Sequence, residues 1–207
     1  MRFLWLLLLL YSCKNETAPR PQARIAARAE LFRHLPNDSA EIIFAGSTLT
    51  EDFPLFDFFH NPIIKNRGIS GSTTIDLLNR TDEICDSKPT QVFMEAGNQD
   101  FLDSLDARAI LHDMVHLGDR IKRLSPQTKL YVQSLLPTNG NYSKYNAGIK
   151  DVNMRLRWYC RDRQVTFINL YKLFLKDGEL NPLYTYDGAH LNYAGYQVWA
   201  QAVQPFL

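Results

Sequence analysis

Glu41-Ile-Ile-Phe-Ala-Gly46 runs straight into Ser47-Thr48-Leu49-Thr50. A short apolar run that stops on glycine and opens into a polar stretch reads as a buried strand followed by a loop. Working outward, the pattern recurs. Residues 63–68, 91–97, 129–136 and 165–170 read as four further strands, the one over 129–136 stopped by Pro137. Between them lie helical stretches at 72–83, 107–124 and 145–163, with another at 23–34 before the first strand. The helix over 107–124 carries apolar residues at 107, 110, 111, 114, 117, 121 and 124, and Pro126 ends it. Asn192 is placed to cap a last helix reaching to about residue 203. Strands alternating with helices predict an α/β fold, a three-layer α/β/α sandwich on a five-stranded parallel sheet.

In such sheets ligands bind beyond the carboxyl ends of the strands. Gly46-Ser47-Thr48, Gly68-Ile-Ser-Gly71-Ser72-Thr73 and Gly97-Asn98-Gln99-Asp100 follow the first three strands. Asp187-Gly-Ala-His190 follows the fifth. Four polar, glycine-bearing loops therefore share one rim. A histidine that takes a proton from a nucleophile needs a partner to set its tautomer and stabilise the imidazolium. Asp187 supplies that carboxylate locally to His190.

The chain has 207 residues, 45% of them hydrophobic, and a net charge of +1. That is one full-sized domain, with no basic surplus to suggest nucleic acid. Arg2 and the apolar run after it read as a signal peptide over 1–12, too short to span a bilayer. Leu10-Tyr11-Ser12-Cys13 resembles a bacterial lipobox, which makes Cys13 the candidate lipidated residue. Residues 13–22 read as a polar, proline-bearing tether and 23–207 as the domain. The expected location is the bacterial cell envelope, as a periplasmic or outer-membrane lipoprotein whose only membrane contact is the lipid anchor. Cys160 shares a helical stripe with Ile149, Val152 and Leu156, so it is expected to be a buried thiol, with no disulfide to Cys85.

As a set, these blocks resemble the SGNH hydrolases, or GDSL-type esterases, over nearly all of residues 40–205. The carbohydrate-acetylesterase branch is the nearest in pattern, through Asn66-Arg-Gly-Ile-Ser-Gly71 and Tyr186-Asp-Gly-Ala-His-Leu-Asn192. The resemblance implies a flavodoxin-like SGNH fold and acyl transfer. Thr48 would be the nucleophile, His190 its base, Asp187 the orienting acid, and Gly71 and Gln99 would form the oxyanion hole. No metal or organic cofactor is implied. Thr48 stands where the family has Ser and Gln99 where it has Asn. Each keeps its functional group and adds one carbon. Ser47 and Asn98 sit one residue early, so a local shift would put either in the role, with Ser47 as alternative nucleophile. The implied substrates are small acyl esters, acetylated glycans above all. The competing reading is a catalytically degenerate domain that binds a glycan or other ligand.

Several residues have plainer readings. Thr48 could be a turn residue and Gln99 a tie between loops. His112 and His116 lie four apart on one helix, but a solvated face is the expectation rather than a metal site. Of Tyr142, Tyr145, Tyr184, Tyr186, Tyr193 and Tyr196, at most two are expected to meet substrate. Asp100 and Asp103 are expected to cap or pair locally.

Overall fold

The computed structural model describes residues 21–38 and 40–207. The elements run α1 (Pro21–His34), β1 (Ile42–Gly46), α2 (Thr48–Glu51), α3 (Leu55–Phe59), β2 (Ile64–Gly68), α4 (Thr74–Asn79), α5 (Thr81–Cys85) and β3 (Gln91–Glu95). They continue with α6 (Asn98–Leu102), α7 (Ala107–Leu124), β4 (Lys129–Gln133), α8 (Asn146–Asp162), β5 (Thr166–Ile168), α9 (Leu170–Phe174), a small hairpin β6–β7 (Leu175–Lys176 and Glu179–Leu180) and α10 (Tyr193–Val203). β1 to β5 form one parallel sheet in the order 2-1-3-4-5. This is the three-layer architecture and the flavodoxin-type strand order.

Successive strand residues point to opposite faces, and both faces are covered. Ile43, Ala45, Val92, Met94 and Val132 pack with α7 and α8. On the other face Ile42, Phe44, Phe93 and Tyr131 pack with Phe53, Phe174 and Trp199. Phe44, Phe93 and Tyr131 are register partners on β1, β3 and β4. Their rings stack at 4.5 and 4.4 Å, a row of aromatic rungs across the sheet. Cys160 lies buried with Ile149, Val152 and Leu156 as its spacing predicts, and Cys85 is buried too. Burial pushes the two thiols up to about 12 and about 11.

α7 matches its predicted limits, and Asn192 caps α10 by accepting from the Gly195 N–H. Other expectations need correction. The tether's last two residues, 21 and 22, already belong to α1. The single helix expected over 72–83 is two, broken at Arg80, which closes α4 and opens α5. Arg80 is buried and its Nη2 donates to the Arg67 carbonyl at 3.0 Å. α2, α3, α6, α9 and the hairpin are too short to show a period. The signal-peptide and lipidation readings, Cys13 included, lie outside the described residues. No helix among the described residues is long and apolar enough to cross a membrane.

The strand order reverses direction between β1 and β3, so the loops after these strands diverge and leave a crevice. Two glycines bring α2 down onto its rim. A Cβ on Gly46 would meet Thr50 Oγ1 at 2.1 Å, and one on Gly68 would meet the Glu51 nitrogen at 2.2 Å. Asn66 fastens the far end of α2, its amide donating to the carbonyls of Thr50, Glu51 and Phe53.

Candidate active site

Thr48 opens α2 directly above β1. Its Oγ1 accepts from the Gly71 N–H at 3.0 Å and pairs with Ser70 Oγ at 3.2 Å. Gly71 has φ +78°, a left-handed conformation that favours glycine. The loop carrying Ser70 and Gly71 is itself held. Ser70 N–H donates to Glu51 Oε2, and Arg24 reaches down from α1 to bond both Glu51 Oε1 (2.8 Å) and the Ser70 carbonyl (3.1 Å). Arg28 adds a second cation 3.7 Å from Glu51. Ser47 is buried at the N-cap of α2 and makes no side-chain cap bond.

The His190 loop is fixed from several sides. Asp187 Oδ1 accepts from the N–H groups of Ala189 (2.9 Å) and His190 (2.8 Å), which folds the four residues into a tight turn. Thr185 Oγ1 donates to the His190 carbonyl at 2.6 Å and accepts from the Gly188 N–H. Gly188 packs so closely on Asn139 that a Cβ would lie 2.4 Å from its Oδ1. Asp187 Oδ2 lies 2.6 Å from His190 Nδ1. With Nδ1–H donated to the carboxylate, Nε2 is the nitrogen left to accept a proton. Burial pushes the Asp187 carboxyl up, but the hydrogen bonds from His190 and Ala189 and the imidazole's charge outweigh it and hold it below the usual carboxylate range.

Thr48 and His190 line one cavity, with Ser47 and Gln99, and no hydrogen bond joins them in this structure. The cavity volume is about 30 Å³. Its apolar wall comes from Leu49, Phe101, Tyr145 and Ile149.

Gln99 lies on this cavity, but its Nε2 donates to Asp103 Oδ1 at 2.9 Å, one turn along its own helix. Asn98 Nδ2 donates to the Leu136 carbonyl at 3.1 Å, and its Oδ1 is buried without a partner. Asp103 pairs locally, as expected. Asp100 does not, which corrects the sequence reading. It is fully buried and accepts from the N–H and hydroxyl of Thr74, binding α6 to the start of α4.

His112 and His116 meet edge-to-face at 4.1 Å on the exposed side of α7, and His112 pairs with the buried Asp113. Among the described residues no three metal-binding side chains cluster. Tyr142 and Tyr145 line the cavity, whereas Tyr196 is buried and donates to the Leu49 carbonyl. Tyr184 packs edge-on against Phe174, Tyr193 is exposed, and Tyr186 stacks on the His190 ring at 5.8 Å. The sequence reading missed the Arg24–Glu51–Ser70 chain; two arginines four apart on α1 were its one visible trace. It also missed Asp52, whose carboxyl burial and Glu51 push up while the charge of His190 pulls it down.

A profile of the GDSL-like lipase/acylhydrolase family matches residues 48–198, more than half of the chain. A GDSL-like lipase from Bacteroides thetaiotaomicron superposes with a TM-score of 0.79 at 22% identity, covering 88% of this chain and 96% of that one. A carbohydrate esterase of family 3 from Talaromyces cellulolyticus gives 0.66 at 18%, covering 81% and 95%. At such identities the likeness is one of fold. The chain is also 39% identical over 82 residues to an Escherichia coli N-acylneuraminate cytidylyltransferase. That stretch is 38% of this chain and only 18% of that protein's length.

Proposed function

The chain belongs to the GDSL-like lipase/acylhydrolase family, and from that premise we propose that it removes small acyl groups, acetyl above all, from carbohydrate esters. One observation carries the reading. Gly71 N–H already points at Thr48 Oγ1, in a site whose other wall presents an imidazole tied to its own carboxylate.

Thr48 Oγ1 attacks the ester carbonyl carbon while His190 Nε2 takes the hydroxyl proton. The carbonyl oxygen becomes an oxyanion, which accepts from the N–H groups of Gly71 and residue 48. Gln99 joins them once its amide leaves Asp103. His190 returns the proton to the departing sugar oxygen, and the C–O bond to the sugar breaks. Water, deprotonated by the same nitrogen, then cleaves the acyl-threonine and releases the carboxylic acid. Asp187 holds the ring and stabilises its cationic form throughout. The cavity supports a short acyl group. By this measure one water needs roughly 10–15 Å³, so 30 Å³ suits an acetyl-sized group. The sugar reading draws on the names of the carbohydrate esterase and of the relative acting on an acylated sugar acid. Anchoring in the cell envelope through Cys13 remains part of the proposal.

The resting bond from Gln99 to Asp103 favours a second reading, a ligand-binding domain without turnover. Hydrolysis of a chromogenic acetate ester, compared with His190→Ala and Thr48→Ala, separates them. Turnover lost in both variants supports a Thr-based esterase. Turnover no greater than that of His190→Ala sinks it, and activity that survives only Thr48→Ala moves the nucleophile to Ser47.

A further inference from the structure

We infer that the ring of Phe101, seated on Gly148, is the closed end of an acyl pocket and sets the length of acyl chain the protein accepts. The inference rests on the acyl-hydrolase reading for its reaction and on packing for its substance.

A tetrahedral carbon at Thr48 Oγ1 has three further substituents. The oxyanion points to Gly71, and the leaving oxygen must lie near His190 Nε2. The third, the alkyl part of the acyl group, needs apolar room. The cavity that Thr48 lines offers it, with a wall made by Leu49, Phe101, Tyr145 and Ile149. A sugar alcohol is too large and too polar for that space, so it leaves through the open side, where Tyr186 stacks on His190.

Phe101 lies on α6, two residues after Gln99, and is 7% exposed. Its ring sits 6.0 Å from that of Tyr145 and against the first turn of α8. A Cβ on Gly148 would lie 2.6 Å from Phe101 Cε1 and 2.9 Å from Cζ. Gly148 is helical with nothing unusual in its backbone, so the reason for glycine there is the ring. Without a side chain at 148 the ring sits back and leaves the small space open. A larger residue would push the ring off that seat, toward the cavity it lines. The two positions therefore work as a depth stop that can be moved in either direction.

The test uses the full chain with p-nitrophenyl acetate, propionate, butyrate and hexanoate. Saturation-transfer NMR of the corresponding free carboxylates reads the pocket without any turnover. In the parent protein kcat/KM is expected to fall on the order of tenfold or more for each methylene the pocket cannot hold. Phe101→Ala should raise the hexanoate-to-acetate ratio at least about tenfold. Gly148→Ala, a helix-favouring change, should lower the propionate-to-acetate ratio. The NMR should show acetate but not hexanoate on the parent, and hexanoate on Phe101→Ala. A flat chain-length profile in the parent overturns the inference, and so do unchanged ratios in both variants. Absence of all turnover with the expected NMR pattern sinks hydrolysis and keeps the pocket. Turnover with carboxylates binding regardless of length does the reverse.

Discussion

Glu51→Gln separates the support of the site from its chemistry. Glu51 ends α2 with 17% of its side chain exposed. One oxygen faces Arg24 at 2.8 Å and Arg28 at 3.7 Å, and the other accepts from Ser70 N–H. A glutamine keeps one acceptor and turns the other into a donor. If its oxygen stays on Ser70, an NH₂ faces the guanidinium; if it turns, the NH₂ faces the Ser70 N–H. One charge-assisted bond is lost either way, worth about 1.5–3 kcal/mol. The Arg24 side chain is 42% exposed, so the lower end applies. About 1.5 kcal/mol in a chain of this size lowers Tm by roughly 3–6 °C. The loop that loses its tie carries the Gly71 N–H. A displacement near 1 Å there costs about 10²-fold, and complete loss of the donor about 10³-fold at most. On the proposed mechanism this N–H holds Thr48 Oγ1 in the free protein and meets the substrate only as the oxyanion forms, so kcat should fall about 10²-fold with KM little changed. Thermal unfolding and saturation kinetics on an acetate ester read both quantities. A lowered Tm with kcat intact would show that the clamp holds α1 in place and nothing more. If neither moves, the chain of contacts from Arg24 to Ser70 does not operate in solution.

Thr48→Ala should abolish ester turnover, whereas Thr48→Ser should keep or raise it, and a fall of about tenfold or more in Thr48→Ser would show that the site is tuned to threonine. Asp187→Asn should lower kcat by about 10²–10⁴-fold by leaving the imidazole unoriented. The Asp187 carboxyl is held below its unfolded value of 3.8, so its stabilising contribution is full above that pH and disappears as pH falls through the folded value. The Tm difference between parent and Asp187→Asn should close at the acid end of a pH series. Glu95, at the end of β3 beneath Thr50, shows the opposite sign. Burial pushes its carboxyl up from 4.5 to about 7, partly opposed by the Thr50 hydroxyl. The folded protein keeps that proton where the unfolded chain releases it, so Tm should fall as pH rises through this window, and Glu95→Gln should flatten the slope. Trp199→Phe leaves the buried Gln133 Oε1 without its 2.6 Å donor and should cost about 1–3 kcal/mol by denaturant unfolding.

What the sequence disclosed follows from periodicity. A strand of a doubly covered sheet must be apolar throughout, and β1 is buried at all five positions, so it announces itself. α7 and α8 carry stripes long enough to count. α2, α6 and α9 have four or five residues each and hold their shape through tertiary contacts, as when Asn66 gathers three carbonyls at the end of α2. No local pattern encodes that. The Asp187–His190 pair was legible because both partners sit in one turn. Glu51 and Arg24 are 27 residues apart, and Asp100 and Thr74 are 26 apart. Nothing short of the fold brings either pair together.

The same contrast bears on Thr48 and Gln99, the two departures from the family's pattern. Around Thr48 every constraint acts on backbone or hydroxyl: Gly46 and Gly68 set the height of α2, and Gly71 and Ser70 fix Oγ1. A serine hydroxyl could turn freely among rotamers, whereas a β-branched threonine has fewer to choose from. Two hydrogen bonds that hold Oγ1 where the oxyanion donor lies therefore suit threonine, because they select one of its few allowed positions. Gln99 has no such support. Its one partner is an aspartate on its own surface turn, and its extra carbon gives it the reach to leave. On the proposed mechanism, the nucleophile position is thus built and the side-chain oxyanion donor is not. In that mechanism the N–H groups of Gly71 and residue 48 would carry the oxyanion until substrate draws Gln99 in, which would make the Arg24–Glu51 hold on Ser70 and Gly71 matter more here than beside a fixed amide.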